Sequence, residues 1–145
     1  MLSRILHALS SPKPDPLPEP DEKLALGALM VRVAKSDHAY RFEEISRIDR
    51  LLTRLFGLNP VEAAKMRATC EKLEHEAPET DHFARVIRET TTFQARLDAL
   101  EAMWEVLLAD GVRRDEEVAV IKAARIAMGL SESDSDTARA TAEGL

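Results

Sequence analysis

The sequence predicts an all-α fold, a compact bundle of about seven helices, and three observations point to it. The first is composition: aromatics make up 4% and glycine occurs five times in 145 residues, while Ala, Leu, Glu and Arg abound. That mixture favours helix over strand. The second is spacing, because apolar residues recur three and four positions apart along most of the chain, as they do on the buried face of a helix. The third is an internal repeat. Sliding the chain by 73 residues places Asp37 on Asp110, Glu43 and Glu44 on Glu116 and Glu117, Ile45 on Val118 and Ile48 on Ile121. Upstream, Leu24, Met30 and Val33 fall on Leu97, Met103 and Val106; downstream, Phe56-Gly57-Leu58-Asn59 falls on Met128-Gly129-Leu130-Ser131 with a one-residue slip. Two copies are too few for a solenoid. They predict a pseudo-symmetric pair of helix–acidic loop–helix repeats facing each other.

The chain divides into a tail over residues 1–20 and one domain over residues 21–145. In the tail, Leu2, Ile5, Leu6 and Leu9 lie at helical spacing and predict a short amphipathic helix. Pro12, Pro14, Pro16, Pro18 and Pro20 then exclude helix and favour polyproline II, a semi-rigid spacer of roughly 25–30 Å at about 3.1 Å per residue. Acidic rather than basic flanks speak against an SH3-type ligand. For residues 1–10, docking on the chain's own domain, or fraying, is favoured over docking on a partner or peripheral contact with a membrane.

Within the domain, Asp21 is placed to cap a first helix that runs to about Ser36, with Leu26, Met30 and Val33 in one stripe widened by Leu24 and Val31. A second helix, Phe42 to Phe56, carries Ile45, Ile48, Leu51, Leu52 and Leu55 and stops at Gly57. Asn59-Pro60 starts a third, which ends before Pro78. A fourth begins at Thr80 or Asp81, carries Phe83, Val86 and Ile87, and ends near Thr90-Thr91-Thr92, a poor helix interior. The fifth, Gln94 to about Ala109, buries Leu97, Leu100, Trp104 and Leu107. Asp115 is expected to cap the sixth, whose Val118, Ile121, Ala124 and Met128 face the core. Ser131-Glu132-Ser133-Asp134 opens a C-terminal helix with little apolar content, expected to fray.

A net charge of −6 and a pI near 5.3 argue against nucleic acid or an anionic membrane as the main partner. Cys70 is the single cysteine, so no disulfide forms within the chain and nothing marks an oxidising compartment. No apolar run is long enough to span a bilayer, and residues 1–9 make a poor signal peptide. These features set the cytoplasm as the expected location. There is no Ser/His/Asp set, no Gly-rich phosphate loop and no pair of Cys-x-x-Cys hooks.

The acidic loops carry the functional question. Asp37 and Asp110 lie at the C-terminal ends of their helices, where a carboxylate is unfavourable by about 0.3–1 kcal/mol unless compensated. Glu44 and Glu117 lie in the first turn of the next helix, where negative charge is favoured. The residues leave two compensations open: each Asp accepts N–H bonds from its own loop in an Asx turn, or the repeat gathers Asp37, Glu44, Asp110 and Glu117 around Ca²⁺, Mg²⁺ or Mn²⁺, which prefer oxygen ligands. The second loop is not an EF-hand, since Val112 and Arg114 stand where that motif needs acidic or amide ligands. Arg113 and Arg114 would also partly neutralise a metal. His38, His75 and His82 lack zinc-type spacing and read as surface histidines.

Ala34-x-x-Asp37 with Glu44-Ile45, and Glu101-Ala102-Met103-Trp104 leading into Ala109-Asp110-Gly111 with Glu117-Val118, resemble the TerB family of tellurite-resistance-associated proteins over roughly residues 22 to 131. The pattern is similar also to the N-terminal module of DnaJ-like membrane co-chaperones. The resemblance implies a bundle of about seven helices and a cation site at the shared acidic residues, with one departure: His38 stands where the family usually shows Gly. The expectation is a non-enzymatic module of tellurite or metal stress responses, acting through an unknown protein partner and binding a divalent cation at the paired loops. The alternative is a metal-free interaction or co-chaperone-like domain tethered by its tail. Oxyanion reduction through Cys70 ranks last, because such chemistry usually wants two cooperating thiols.

Overall fold

The computed structural model describes residues 16–77 and 79–144. The amphipathic segment expected at residues 2–9 and most of the proline spacer lie outside them. The described residues form seven helices and no strand: α1 (Glu22–Lys35), α2 (Phe42–Phe56), α3 (Pro60–Glu76), α4 (Thr80–Thr90), α5 (Phe93–Leu107), α6 (Asp115–Ala127) and α7 (Glu132–Ala142). The all-α bundle expected from the sequence is what forms.

The ends follow local chemistry, with three departures from expectation. Asp21 caps α1 by accepting the Leu24 N–H at 2.8 Å, and Asn59 with Glu62 makes a full capping box on α3. The N-cap of α6, however, is Arg114, and Asp115 is its first helical residue, so no side chain caps that helix. The threonine cluster is used rather than merely tolerated: Thr92 caps α5 by accepting from Ala95 N, and the helix begins one residue earlier than Gln94. Helix α7 is anchored, not frayed. Ser131 and Asp134 form a second capping box, Ser135 and Ala138 are buried, and Trp104 Nε1 donates to Ser135 Oγ at 3.1 Å. Two polar contacts replace the apolar content that this helix lacks.

Helix α1 is the hub, in contact with α2, α3, α4, α5 and α6. The stripe expected there widens to every face: the run Ala25 to Val31 is buried, with Val33 and Ala34. Its repeat partner α5 is buried continuously from Ala102 to Leu107. Around them the copies match, since α3 packs back on α1 as α7 packs back on α5. The stops match as well: Leu58 N donates to Thr53 O, and Leu130 N to Arg125 O, just past Gly57 and Gly129. Among the described residues no helix is long and apolar enough to cross a membrane.

Candidate functional site: a paired acidic centre

Each loop between the first two helices of a repeat turns on one residue with positive φ. In the second copy it is Gly111 (φ 76°), in the first His38 (φ 65°), so the histidine adopts the left-handed conformation that glycine reaches without steric cost. That turn lets the preceding carboxylate fold over its own loop. Asp37 Oδ1 accepts from Ala39 N at 3.2 Å, and Asp110 Oδ1 accepts from Val112 N at 3.1 Å. Both are Asx turns, the first of the two compensations that the sequence left open.

The other oxygen of each aspartate meets guanidinium groups from both copies. Arg41 Nη1 donates to Asp37 Oδ2 at 2.7 Å and Arg114 Nη1 to Asp110 Oδ2 at 2.8 Å. Across the pseudo-dyad, Arg114 Nε stands 3.2 Å from Asp37 Oδ2, and Arg41 Nε 3.6 Å from Asp110 Oδ2. The four side chains form a crossed ion-pair network that ties the loops together. Burial pushes both aspartates up, but their arginine and backbone hydrogen bonds outweigh it and hold the carboxyls below the usual range. The bond to Asp37 raises the Arg41 guanidinium further.

Beneath this network lie Glu44 and Glu117, each 0% exposed. They face each other, and no protein donor reaches hydrogen-bond geometry at any of their four oxygens. Arg41 Nη1 stands 3.5 Å from Glu44 Oε1. Burial pushes both carboxyls up; Glu117 is raised further by the Glu44 carboxyl opposite it. With every carboxyl ionised, two guanidiniums face four carboxylates, and two negative charges stay uncompensated in a dry site, a costly state. A proton shared between the glutamates would relieve one charge, and a divalent cation both.

All four residues singled out in the sequence thus converge, but in two layers. Asp37 and Asp110 spend their oxygens on backbone N–H groups and guanidiniums, whereas Glu44 and Glu117 keep theirs. Among the described residues no group of three or more His, Cys, Asp or Glu is arranged to hold a metal ion. The oxygens left without a partner are those of the glutamate pair, with the arginine-bound aspartates around them. Sequence reasoning missed Arg41, although its offset from Arg114 is the same 73 residues. His38, His75 and His82 are exposed, and Cys70 is buried, its thiol pushed up to about 12, chiefly by burial.

The glutamate pair sets a pH dependence. A carboxyl raised in the folded state holds its proton more tightly there than in the unfolded chain. The stability this supplies is complete below the unfolded value of about 4.3 and is lost as pH rises through the folded one. Glu117→Gln keeps a donor facing Glu44 and removes one of the two raised carboxyls. In metal-free buffer at pH 7.5 it is expected to stabilise the fold by about 1–3 kcal/mol, the cost of an unsatisfied buried polar group, and to flatten the decline of stability above pH 5. Urea melts from pH 4 to 8 check this, and a destabilised variant at pH 7.5 would refute it.

No curated protein and no solved structure matches this chain. A family model does, that of Tellurite resistance protein TerB, over residues 23–140. The match reaches into every helix and covers both acidic loops, and the chain belongs to the TerB family.

Proposed function

We propose that this chain is a non-enzymatic module of tellurite or metal stress responses that acts through a protein partner, and that its acidic centre takes up one hard divalent cation, Ca²⁺, Mg²⁺ or Mn²⁺. The observation carrying the cation is the set of four unpartnered, buried oxygens of Glu44 and Glu117. Those residues would hold the ion, and its charge would replace a shared proton. Asp37 and Asp110, fixed by Arg41 and Arg114, would set the surrounding field and keep the loops in place. Because Glu44 lies on α2 and Glu117 on α6, occupancy would draw the two repeats together and stiffen the surface offered to a partner. The absence of activity is supported by Cys70, whose buried sulfur lies 3.7 Å from Leu24 O and is held as thiol rather than the reactive thiolate.

A metal-free interaction module is the second reading, and the crossed arginines favour it, because they already neutralise half of the centre. Thermal melting of the chelated protein with and without Ca²⁺, Mg²⁺ and Mn²⁺ separates the two. A ligand that binds the native state alone adds about 2.7 kcal/mol at a hundredfold excess over Kd. Cation binding predicts a higher midpoint that disappears in Glu44→Gln/Glu117→Gln with helix content unchanged. A flat response to all three ions would leave the centre as a structural lock and move the search to partners.

A further inference from the structure

We propose that the cleft between α5, α6 and α7 binds a small dianionic oxyanion of the phosphate class. The site is separate from the acidic centre, although Arg113 on its rim immediately precedes Arg114. In a chain of net charge −6, this one cavity of about 200 Å³ is lined by Arg113, Lys122, Arg125 and Arg139. Glu132 and Asp136 are the carboxylates on its wall, so the lining side chains carry an excess of two positive charges, and Arg139 has a further, long contact to Glu143 at 3.8 Å. The volume is below the roughly 300 Å³ at which drug-sized pockets begin and suits a single compact group.

Two of the four cations are held in place before any ligand arrives. The Arg113 and Arg139 guanidiniums lie over the Trp104 ring, 5.6 and 5.9 Å from its centroid. Such cation–π contacts fix long side chains and lower the ordering cost of binding. Arg113 and Lys122 form no ion pair among the described residues, and the pairs of Arg139 are long, 4.0 Å to Asp136 and 3.8 Å to Glu143. Ser135 Oγ accepts the indole N–H at 3.1 Å, which leaves its own proton to donate. Forked guanidiniums with a hydroxyl beside them match the oxygens of a phosphate group.

Trp104 is the single tryptophan, so the cleft carries its own reporter. The full chain is titrated with inorganic phosphate at pH 7.5, chloride holding ionic strength constant, and followed by Trp104 fluorescence and its indole N–H resonance. A saturable response is expected. In Arg113→Gln/Lys122→Gln, Kd should rise about tenfold or more through loss of two charge-assisted contacts, with melting midpoint and helix content as in the parent. Both side chains are exposed, which spares the fold, and Arg113→Lys with charge retained should bind closer to the parent. An unchanged Kd in the double variant, or a response in the parent that chloride alone reproduces, would overturn the proposal and leave a solvated charged face.

Discussion

Arg114→Gln is expected to destabilise the domain by about 2–4 kcal/mol at pH 7, a large share of the 5–15 kcal/mol that holds a typical domain together. The side chain is 19% exposed and lies 2.8 Å from Asp110 and 3.2 Å from Asp37, which are 11% and 10% exposed. Its removal leaves two carboxylates near a glutamate pair that already lacks donors. Breaking a fully buried pair costs about 3–5 kcal/mol, and the residual exposure lowers that figure. The loss should shrink with acidity, and the signs say why. Asp37 and Asp110 are held below their ordinary value, so the stability they contribute is present above the unfolded value of about 3.9 and lost as pH falls through the folded one. The raised glutamates take up protons on the same descent and remove the repulsion that Arg114 offsets. Urea titrations at pH 7 and pH 4.5 test both statements. A loss at pH 7 under about 0.5 kcal/mol would reduce the network to an ordinary surface salt bridge.

The fold was legible because its signals were local and redundant. Apolar spacing, the Asn59-Pro60 start and the Gly57 stop each mark a helix, and the repeat doubles them. The acidic centre was legible in membership but not in arrangement. The offset that pairs Asp37 with Asp110 pairs Arg41 with Arg114 equally well, yet arginine before a helix reads as a solvated charge. Only folding shows that the guanidiniums cross the dyad and that the glutamates lie beneath them. Helix α7 was read in place but its anchor was not: that is a hydrogen bond between Trp104 and Ser135, 31 residues apart, invisible to a hydrophobic pattern. At Asp115 the reading used a good capping residue one position too late, because Arg114 is committed to the network and α6 starts with no side-chain cap.

Gly27→Ala should destabilise by about 2 kcal/mol although it replaces glycine with the best helix former. Nothing in the sequence marks this position, which lies between Leu26 and Ala28 in the middle of an apolar helix. In the structure it is where α1 meets α3. A Cβ added there would stand 2.3 Å from Cys70 Sγ and 3.3 Å from Cys70 Cβ. Cys70 is 0% exposed, so its short side chain has little room to turn away. The propensity gain of about 1 kcal/mol is therefore outweighed by overpacking at the hub of the bundle. The clash lies mainly with one sulfur atom, and that makes the argument reversible. Cys70→Ala alone should cost about 1 kcal/mol for the space left by the sulfur. Combined with Gly27→Ala it should bring stability close to that of the parent, because the new methyl group takes the place of the thiol. The double-mutant cycle then yields a favourable coupling of about 3 kcal/mol, at the upper end of the range known for residues in contact. Additive costs in urea melts would show that the two helices can separate to admit the methyl group, and that the sulfur does not set their approach.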